Sequence, residues 1–389
     1  MASSSPPCVN TSSLLISIIL VIISLVSDAN ATALVSSCKR FNSIISFGDS
    51  MADTGNLLHL SSSNKPPHFA LPPYGETYFH TATGRCSNGR LIIDFLAQYL
   101  RIPLIPPYIG TKNKRNNFSS GVNFAVAGAT AMNKKSFEEK GVHIMVKNIS
   151  LETQLGWFKH LLPSLCQTVS DCDKLYKRSV VLVGEIGGND YNHALLAGIS
   201  KDVVRTFVPS VVGQIASAVT VLVKLGARSL VVPGNLPIGC SAAYLTHFMA
   251  NSSKQDYDPK TGCLIWLNKF AEYHNKMLRN ELNKIQELHP HANIMYADYY
   301  NAARPLFLNP KKYGFSNGAL RACCGGNGPY NQNSSVECGY PPSTVCENPS
   351  LNVNWDGLHL TEAAYKFIFE RLFRGRYTVP AFKTLCKVS

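Results

Sequence analysis

Four short segments carry the residue types that acyl transfer needs: Gly48-Asp49-Ser50, Ala127-Gly128-Ala129, Gly187-Gly188-Asn189-Asp190 and Asp356-Gly357-Leu358-His359. A serine hydroxyl becomes a nucleophile only when a base takes its proton. His359 suits that task because imidazole titrates near neutral pH. Asp356, three residues earlier, can reach the other ring nitrogen, set the tautomer and stabilise the imidazolium. The tetrahedral intermediate places negative charge on an oxygen that needs donors already in position. The backbone N–H groups of Ser50 and Gly128 and the side-chain amide of Asn189 can supply them, and a residue without Cβ lets the backbone approach the substrate. Singly, each segment reads as an ordinary turn, a tight loop, a close-packing glycine or a surface helix start. Together and in order they read as a catalytic set.

Such residues need a scaffold that brings four distant segments together. Short β-branched runs alternate with longer helical patterns. Strands are expected at Ser43–Phe47, Val122–Val126, Val180–Val183, Leu230–Val232 and Asn293–Tyr296, each apolar enough to be buried on both faces. Leu151, Leu155, Phe158, Leu162 and Leu165 recur at helical spacing behind Ser150 as cap. Helices are also expected over 209–225 and 266–288. The alternation predicts a doubly wound α/β sandwich, in which active sites lie at the C-terminal ends of the strands. Three of the four segments follow a predicted strand. No repeat or long linker divides the chain, and the stretches 61–73 and 312–349 read as loop-like insertions.

Phe47-Gly-Asp-Ser50, continuing as Met51-Ala-Asp53-Thr-Gly-Asn56, resembles the first block of the plant GDSL esterase/lipase family within the SGNH hydrolases. Gly121-Val-Asn-Phe-Ala-Val-Ala-Gly128-Ala resembles the second block, Gly187-Gly-Asn189-Asp190 the third and Asp356-Gly-Leu-His359 the last. The resemblance runs from about Cys38 to the C-terminus. It implies a three-layer, flavodoxin-like α/β/α sandwich with a parallel sheet of about five strands. It also implies a Ser50, Gly128, Asn189 and His359 quartet, with Asp356 behind the histidine and Asp53 in support. Pro73-Tyr-Gly-Glu-Thr77, Gly184-Glu-Ile-Gly-Gly188 and the stretch from Val353 to His359 are similar to the branch containing sinapine esterase and acetylajmalan esterase. That branch implies small-molecule esters of plant specialised metabolism, with small or aromatic acyl groups. One departure is Cys86, where the family usually has Phe. An acyltransferase using the same Ser-His machinery and a secreted binding or defence protein without catalysis are the rival readings, the second expected to show a broken motif.

Leu14–Val26 is apolar and too short to span a bilayer comfortably, and Ala29-Asn-Ala31 and Ala31-Thr-Ala33 offer cleavage sites. Residues 1–33 are therefore expected to be a secretory signal and 34–389 a single hydrolase domain. No later stretch is expected to span a membrane. Secretion is the default destination, with the vacuole open. Cleavage removes Asp28 and no base, leaving 37 basic against 23 acidic residues, a net +14. That charge suits retention on acidic cell-wall polymers. The one basic cluster (Lys112, Lys114, Arg115) lacks interleaved aromatics, which argues against nucleic acid. Sequons begin at Asn117, Asn148, Asn251 and Asn333, positions expected at the surface. Eleven cysteines remain after cleavage, an odd number for a secreted chain. Spacing brackets Cys166 with Cys172 and Cys240 with Cys263. Cys323, Cys324, Cys338 and Cys346 could form two bridges, and Cys38 and Cys386 lie near the two ends. Cys86 is then left over, though spacing cannot fix connectivity. No cofactor or metal is expected: no phosphate-cradling glycine loop occurs, and His289-Pro-His291 reads as a helix end. Tyr191 and Trp355 flank the candidate residues as pocket walls or as core.

Overall fold

The computed structural model describes residues 38–61, 64, 66–111, 118–142 and 149–386. The candidate signal segment, Lys112, Lys114, Arg115, and the sequons at Asn117 and Asn148 lie outside the described residues.

A parallel sheet forms the centre of the unit Lys39–Ser389. Its strands are β1 (Ser43–Phe47), β2 (Gly121–Asn123), β3 (Ser179–Val183), β4 (Ser229–Pro233) and β5 (Asn293–Ala297). A separate two-stranded ribbon pairs β6 (Cys324–Gly325) with β7 (Thr344–Val345). The last strand, β8 (Thr378–Val379), adds to the sheet antiparallel to β5. The order is β2-β1-β3-β4-β5-β8. Every residue of β1, β3 and β4 is buried, which is why these segments read as unbroken apolar runs.

The sixth strand has no counterpart in the sequence reading. It is two residues long and is followed by Pro380, so it carries no periodic signal. The second strand ends at Asn123 instead of running to Val126. The Asn123 side chain takes over there, accepting from Ala125 N and donating to Ala52 O and Thr54 Oγ1.

Helices cover the sheet in two groups. Helix α1 (Ile92–Leu100) packs on the helix Glu362–Phe369, which in turn meets Tyr299–Leu308. The other group is α2 (Leu151–Leu165), α3 (Gly188–Leu196), α4 (Val208–Lys224) and α5 (Ile265–Leu288), with α4 packed against both α2 and α5. Ser150 Oγ accepts from Thr153 N, so α2 begins at its predicted cap. The stretch Lys201–Lys224 is long and apolar enough to cross a membrane, contrary to expectation. Val208, Val211, Val212, Ile215, Val219 and Leu222 of that stretch are buried, which accounts for the apolarity as core packing.

Among the described residues, Cys166–Cys172, Cys240–Cys263, Cys323–Cys346 and Cys324–Cys338 are bridged. Cys38 and Cys386 are each disulfide-bonded too, and Cys86 is a buried free thiol. Asn251 and Asn333 are exposed.

Candidate active site

The sheet order has a switch point. From β1 the chain moves to one side to make β2 and then to the other to make β3, opening a crevice at the strands' C-terminal ends. Ser50 leaves β1, Gly128 follows β2 and Asn189 follows β3, so all three arrive at that crevice.

The turn after β1 is held rigidly. Gly48 has φ +147°, and a Cβ there would lie 2.7 Å from the Glu185 carbonyl oxygen, so only glycine fits. Gln154 of α2 grips the same residue twice: Gly48 N donates to Gln154 Oε1 at 2.8 Å, and Gln154 Nε2 donates to Gly48 O at 2.7 Å. Asp53 closes the turn. Its carboxylate accepts from the backbone N–H of Gly55, Asn56 and Leu57, and across the crevice from Ala127 N at 2.8 Å. Burial pushes the Asp53 carboxyl up while these four donors pull it back.

Gly128 sits at φ +82° with nothing within 4 Å of where a Cβ would stand. The close-packing reading of this glycine therefore fails; what it supplies is a left-handed bend at an open site. Asp190 fixes the neighbouring backbone by accepting from Ala131 N and Met132 N. The Gly-Gly-Asn-Asp segment is the left-handed start of helix α3, not a free loop. Asn189 lies in its first turn, with Nδ2 donating to Ala129 O at 3.0 Å and to Asp49 Oδ2 at 3.2 Å. Among the described residues no acceptor takes the backbone N–H of Ser50 or Gly128.

Asp356 and His359 belong to a turn ahead of the last long helix. Asp356 Oδ1 accepts from Leu358 N and His359 N, which folds the turn on the carboxylate itself. The same carboxylate meets His359 Nδ1 at 2.7 and 2.9 Å. On the far side of the ring, His359 Nε2 lies 2.8 Å from Ser50 Oγ. Burial alone would raise the Asp356 carboxyl, but the facing His359 and the hydrogen bonds it receives hold it well below the usual range. Burial disfavours the imidazolium, and the Asp356 charge overrides it, so His359 stands above its ordinary 6.5.

Three further residues bear on the site, and sequence reasoning missed them. Tyr74 donates its hydroxyl to Asp356 Oδ2 at 2.7 Å. His193 of α3 approaches Gly128 O with Nε2 at 3.3 Å. Gln154 was visible only as one position on a helix. The Pro73-Tyr74-Gly75 stretch was the nearest signal for the first; the others carried none. Tyr191 and Trp355 resolve as core: both are fully buried, Tyr191 bonding His274 Nδ1 and Trp355 packing edge-on against Tyr74. His289 caps the end of α5, and His291 lies just beyond it. Among the described residues no group of three or more His, Cys, Asp or Glu is placed to hold a metal.

Ser50 opens into a cavity of about 290 Å³. Met51, Leu57, Phe69, Ile238 and Phe307 supply much of its apolar wall, and Gly128, Asn189 and His359 line it as well.

A buried serine bonded to a histidine–aspartate pair, with uncommitted N–H groups beside it, is the arrangement of a serine hydrolase. Residues 44–372 match the GDSL-like Lipase/Acylhydrolase family. A GDSL esterase/lipase of Arabidopsis thaliana is 54% identical over 349 residues, spanning 90% of this chain and 86% of its own length. A second from the same plant is 51% identical over 352 residues, spanning 90% of each chain. Sinapine esterase of Brassica napus is 50% identical over 351 residues, again spanning 90% of each. The chain belongs to the GDSL-like lipase/acylhydrolase family, and it is a carboxylic ester hydrolase.

Proposed function

We propose that Ser50 is the nucleophile of this esterase, that His359 is its base and acid, and that Asp356 orients and charges the histidine. The continuous hydrogen-bonded line from Ser50 Oγ through the His359 ring to Asp356 supports this reading above all else. Ser50 Oγ attacks the ester carbonyl carbon while His359 Nε2 takes its proton. The C–O bond to the alcohol breaks as His359 returns that proton to the leaving oxygen. Water, deprotonated in turn by His359, then releases the acid and restores Ser50. The N–H groups of Ser50 and Gly128 and the Asn189 amide hold the oxyanion in both halves, with Asp53 keeping the first two in register.

The substrate we infer is a small-molecule ester of plant specialised metabolism with a small or aromatic acyl group. The mostly apolar cavity wall and the sinapine esterase relative support that choice. In a panel running from acetyl to hydroxycinnamoyl and long-chain esters, the short and aromatic esters should turn over fastest. Ser50→Ala should abolish turnover of every one. A purified Ser50→Ala protein with parental activity would refute the assignment.

We also propose that residues 1–33 are a cleaved signal, that 34–389 are the mature hydrolase, and that the protein is secreted and N-glycosylated at the four sequons. Its positive charge would hold it on acidic wall polymers. Protein recovered from culture medium should begin after Ala31 or Ala33 by N-terminal sequencing. It should bind a polygalacturonate matrix at low salt and elute as salt rises past the screening range, roughly 0.1–0.2 M.

A further inference from the structure

Beneath the Ser50 turn lie two carboxyl groups that the reaction above does not use. Asp49 is 2% exposed and Glu185 8% exposed. Their side chains are hydrogen-bonded to each other, and Asp49 N donates to the Glu185 carbonyl at 3.0 Å. Among the described residues no Lys or Arg forms an ion pair with either. The other groups that face them are Asp190 from α3, His359 from the C-terminal turn, the Cys86 thiol, and the hydroxyls of Tyr191, Tyr244, Tyr299 and Tyr365. Only His359 can offer positive charge, and Asp356 already claims it. Ionised carboxylates are acceptors only, so two can bond each other only if one holds a proton. Burial first, and like charge second, push both carboxyls up.

Asp49 connects this pair to the reacting centre. Its Oδ1 accepts from Met51 N at 3.0 Å, and its Oδ2 from Asn189 Nδ2 at 3.2 Å. The other Asn189 proton goes to Ala129 O. Asn189 Oδ1 accepts from Asn192 Nδ2 at 3.2 Å, and Asn192 Oδ1 in turn accepts from the Tyr244 hydroxyl. At rest, then, both amide protons of the proposed oxyanion donor have acceptors. To serve an oxyanion, Asn189 must loosen one of them, and Asp49 is the longer bond. A carboxylate with a full charge competes with the oxyanion for that proton, because charged acceptors make the stronger hydrogen bond. One that shares a proton competes less.

We propose that Asp49 and Glu185 share a single proton, and that Glu185 is thereby a positioning residue for ester hydrolysis, keeping Asp49 a weak enough acceptor for the Asn189 amide to turn to the oxyanion. The inference rests on the reading of Ser50 and Asn189 given above. Loss of the shared proton to solvent places a second negative charge beside the oxyanion and binds Asn189 to Asp49. Activity is therefore present while the pair holds its proton and falls as pH rises through its loss. The acid side of the profile belongs to His359, which must be neutral to act as base.

The test uses Glu185→Gln and Glu185→Ala in the full mature protein, with kcat and KM for an aryl ester followed against pH. A glutamine amide can donate to Asp49 in place of the shared acid proton, and it has no such proton to lose. Glu185→Gln should keep kcat within a few-fold and lack the alkaline limb of the parent. Glu185→Ala should lose roughly 10- to 100-fold in kcat, part of the 10²- to 10³-fold that removing an oxyanion donor costs, with KM little changed. A parent without an alkaline limb overturns the proposal. So does a Glu185→Gln protein that keeps the limb or is as impaired as Glu185→Ala. Infrared spectroscopy of the Ser50→Ala background gives a readout free of turnover: a carboxylic-acid band should titrate away with rising pH and be missing when Glu185→Gln is added. Absence of that band also overturns the shared proton. A Ser50→Ala protein that still hydrolyses ester would instead sink the nucleophile assignment, so the two failures are told apart.

Discussion

His359 sits between two opposed influences, since burial disfavours its charged form and the Asp356 carboxylate favours it more strongly. The raised pKa has a direct kinetic sign. In the proposed role of base, His359 must be neutral to accept the Ser50 proton, so activity should rise with pH through a midpoint above the ordinary imidazole value. Asp356→Asn removes the stabilising charge and permits the wrong tautomer. It should lower kcat by roughly 10⁴-fold and move the remaining acid limb down in pH, as measured by kcat against pH on a soluble aryl ester. An unmoved limb would mean that Asp356 does not set the charge of His359. At this scale the convergence of the candidate residues was legible, because the proposed chemistry demands residue types that cannot be interchanged. Ser50, Asp53, Gly128, Asn189, Asp356 and His359 all meet at the crevice. Tyr74 escaped notice because a tyrosine hydroxyl on a carboxylate has no characteristic spacing. Its partner is 282 positions away.

The elements explain why the turn after β1 is reliable. Gln154 extends from α2, satisfies the Gly48 N–H and adds a second donor to the Gly48 carbonyl, which also accepts from Val126 N. Gln154→Ala leaves the buried Gly48 N–H unpaired, while the Gly48 carbonyl keeps its bond from Val126 N; the loss should cost about 1 to 3 kcal/mol of stability. Because the same bonds fix Ser50, kcat should fall while KM stays near the parental value; denaturant unfolding beside steady-state kinetics would separate the two effects. The five parallel strands and the three longest helices were readable from apolar runs and periodicity. Helix α3 and β8 were not. Helix α3 begins Gly-Gly-Asn-Asp, a composition that favours turns, and tertiary bonds through Asn189 and Asp190 override that preference. The end of β2 was misjudged for the converse reason: Val122–Val126 looks like strand, and Phe124 N and Val126 N still donate to Ser46 O and Gly48 O, but the Asn123 carbonyl and side chain are taken by Asn56 and Thr54, and regular pairing stops there.

For the whole molecule, the division of labour is between a parallel sheet that delivers three segments to one crevice and a C-terminal portion that must arrive separately with Asp356 and His359. That portion leans on neighbouring cystines. Cys323 N donates to Asn354 O and Cys324 N to Trp355 O, so the backbone just ahead of Asp356 is laid against two residues that are themselves bridged, to Cys346 and Cys338. Neither bridge lines the Ser50 cavity. Yet a chain made in a reducing cytosol would present Ser50, the proposed nucleophile, on a finished sheet while the support for His359 was unsecured. On the proposed secretory route, oxidation would therefore complete the support for His359 only once the chain had left the cytosol. Cytosolically produced, reduced protein should label poorly at Ser50 with a fluorophosphonate, and labelling should recover on oxidative refolding; full reactivity in the reduced state would show that the sheet assembles the site unaided.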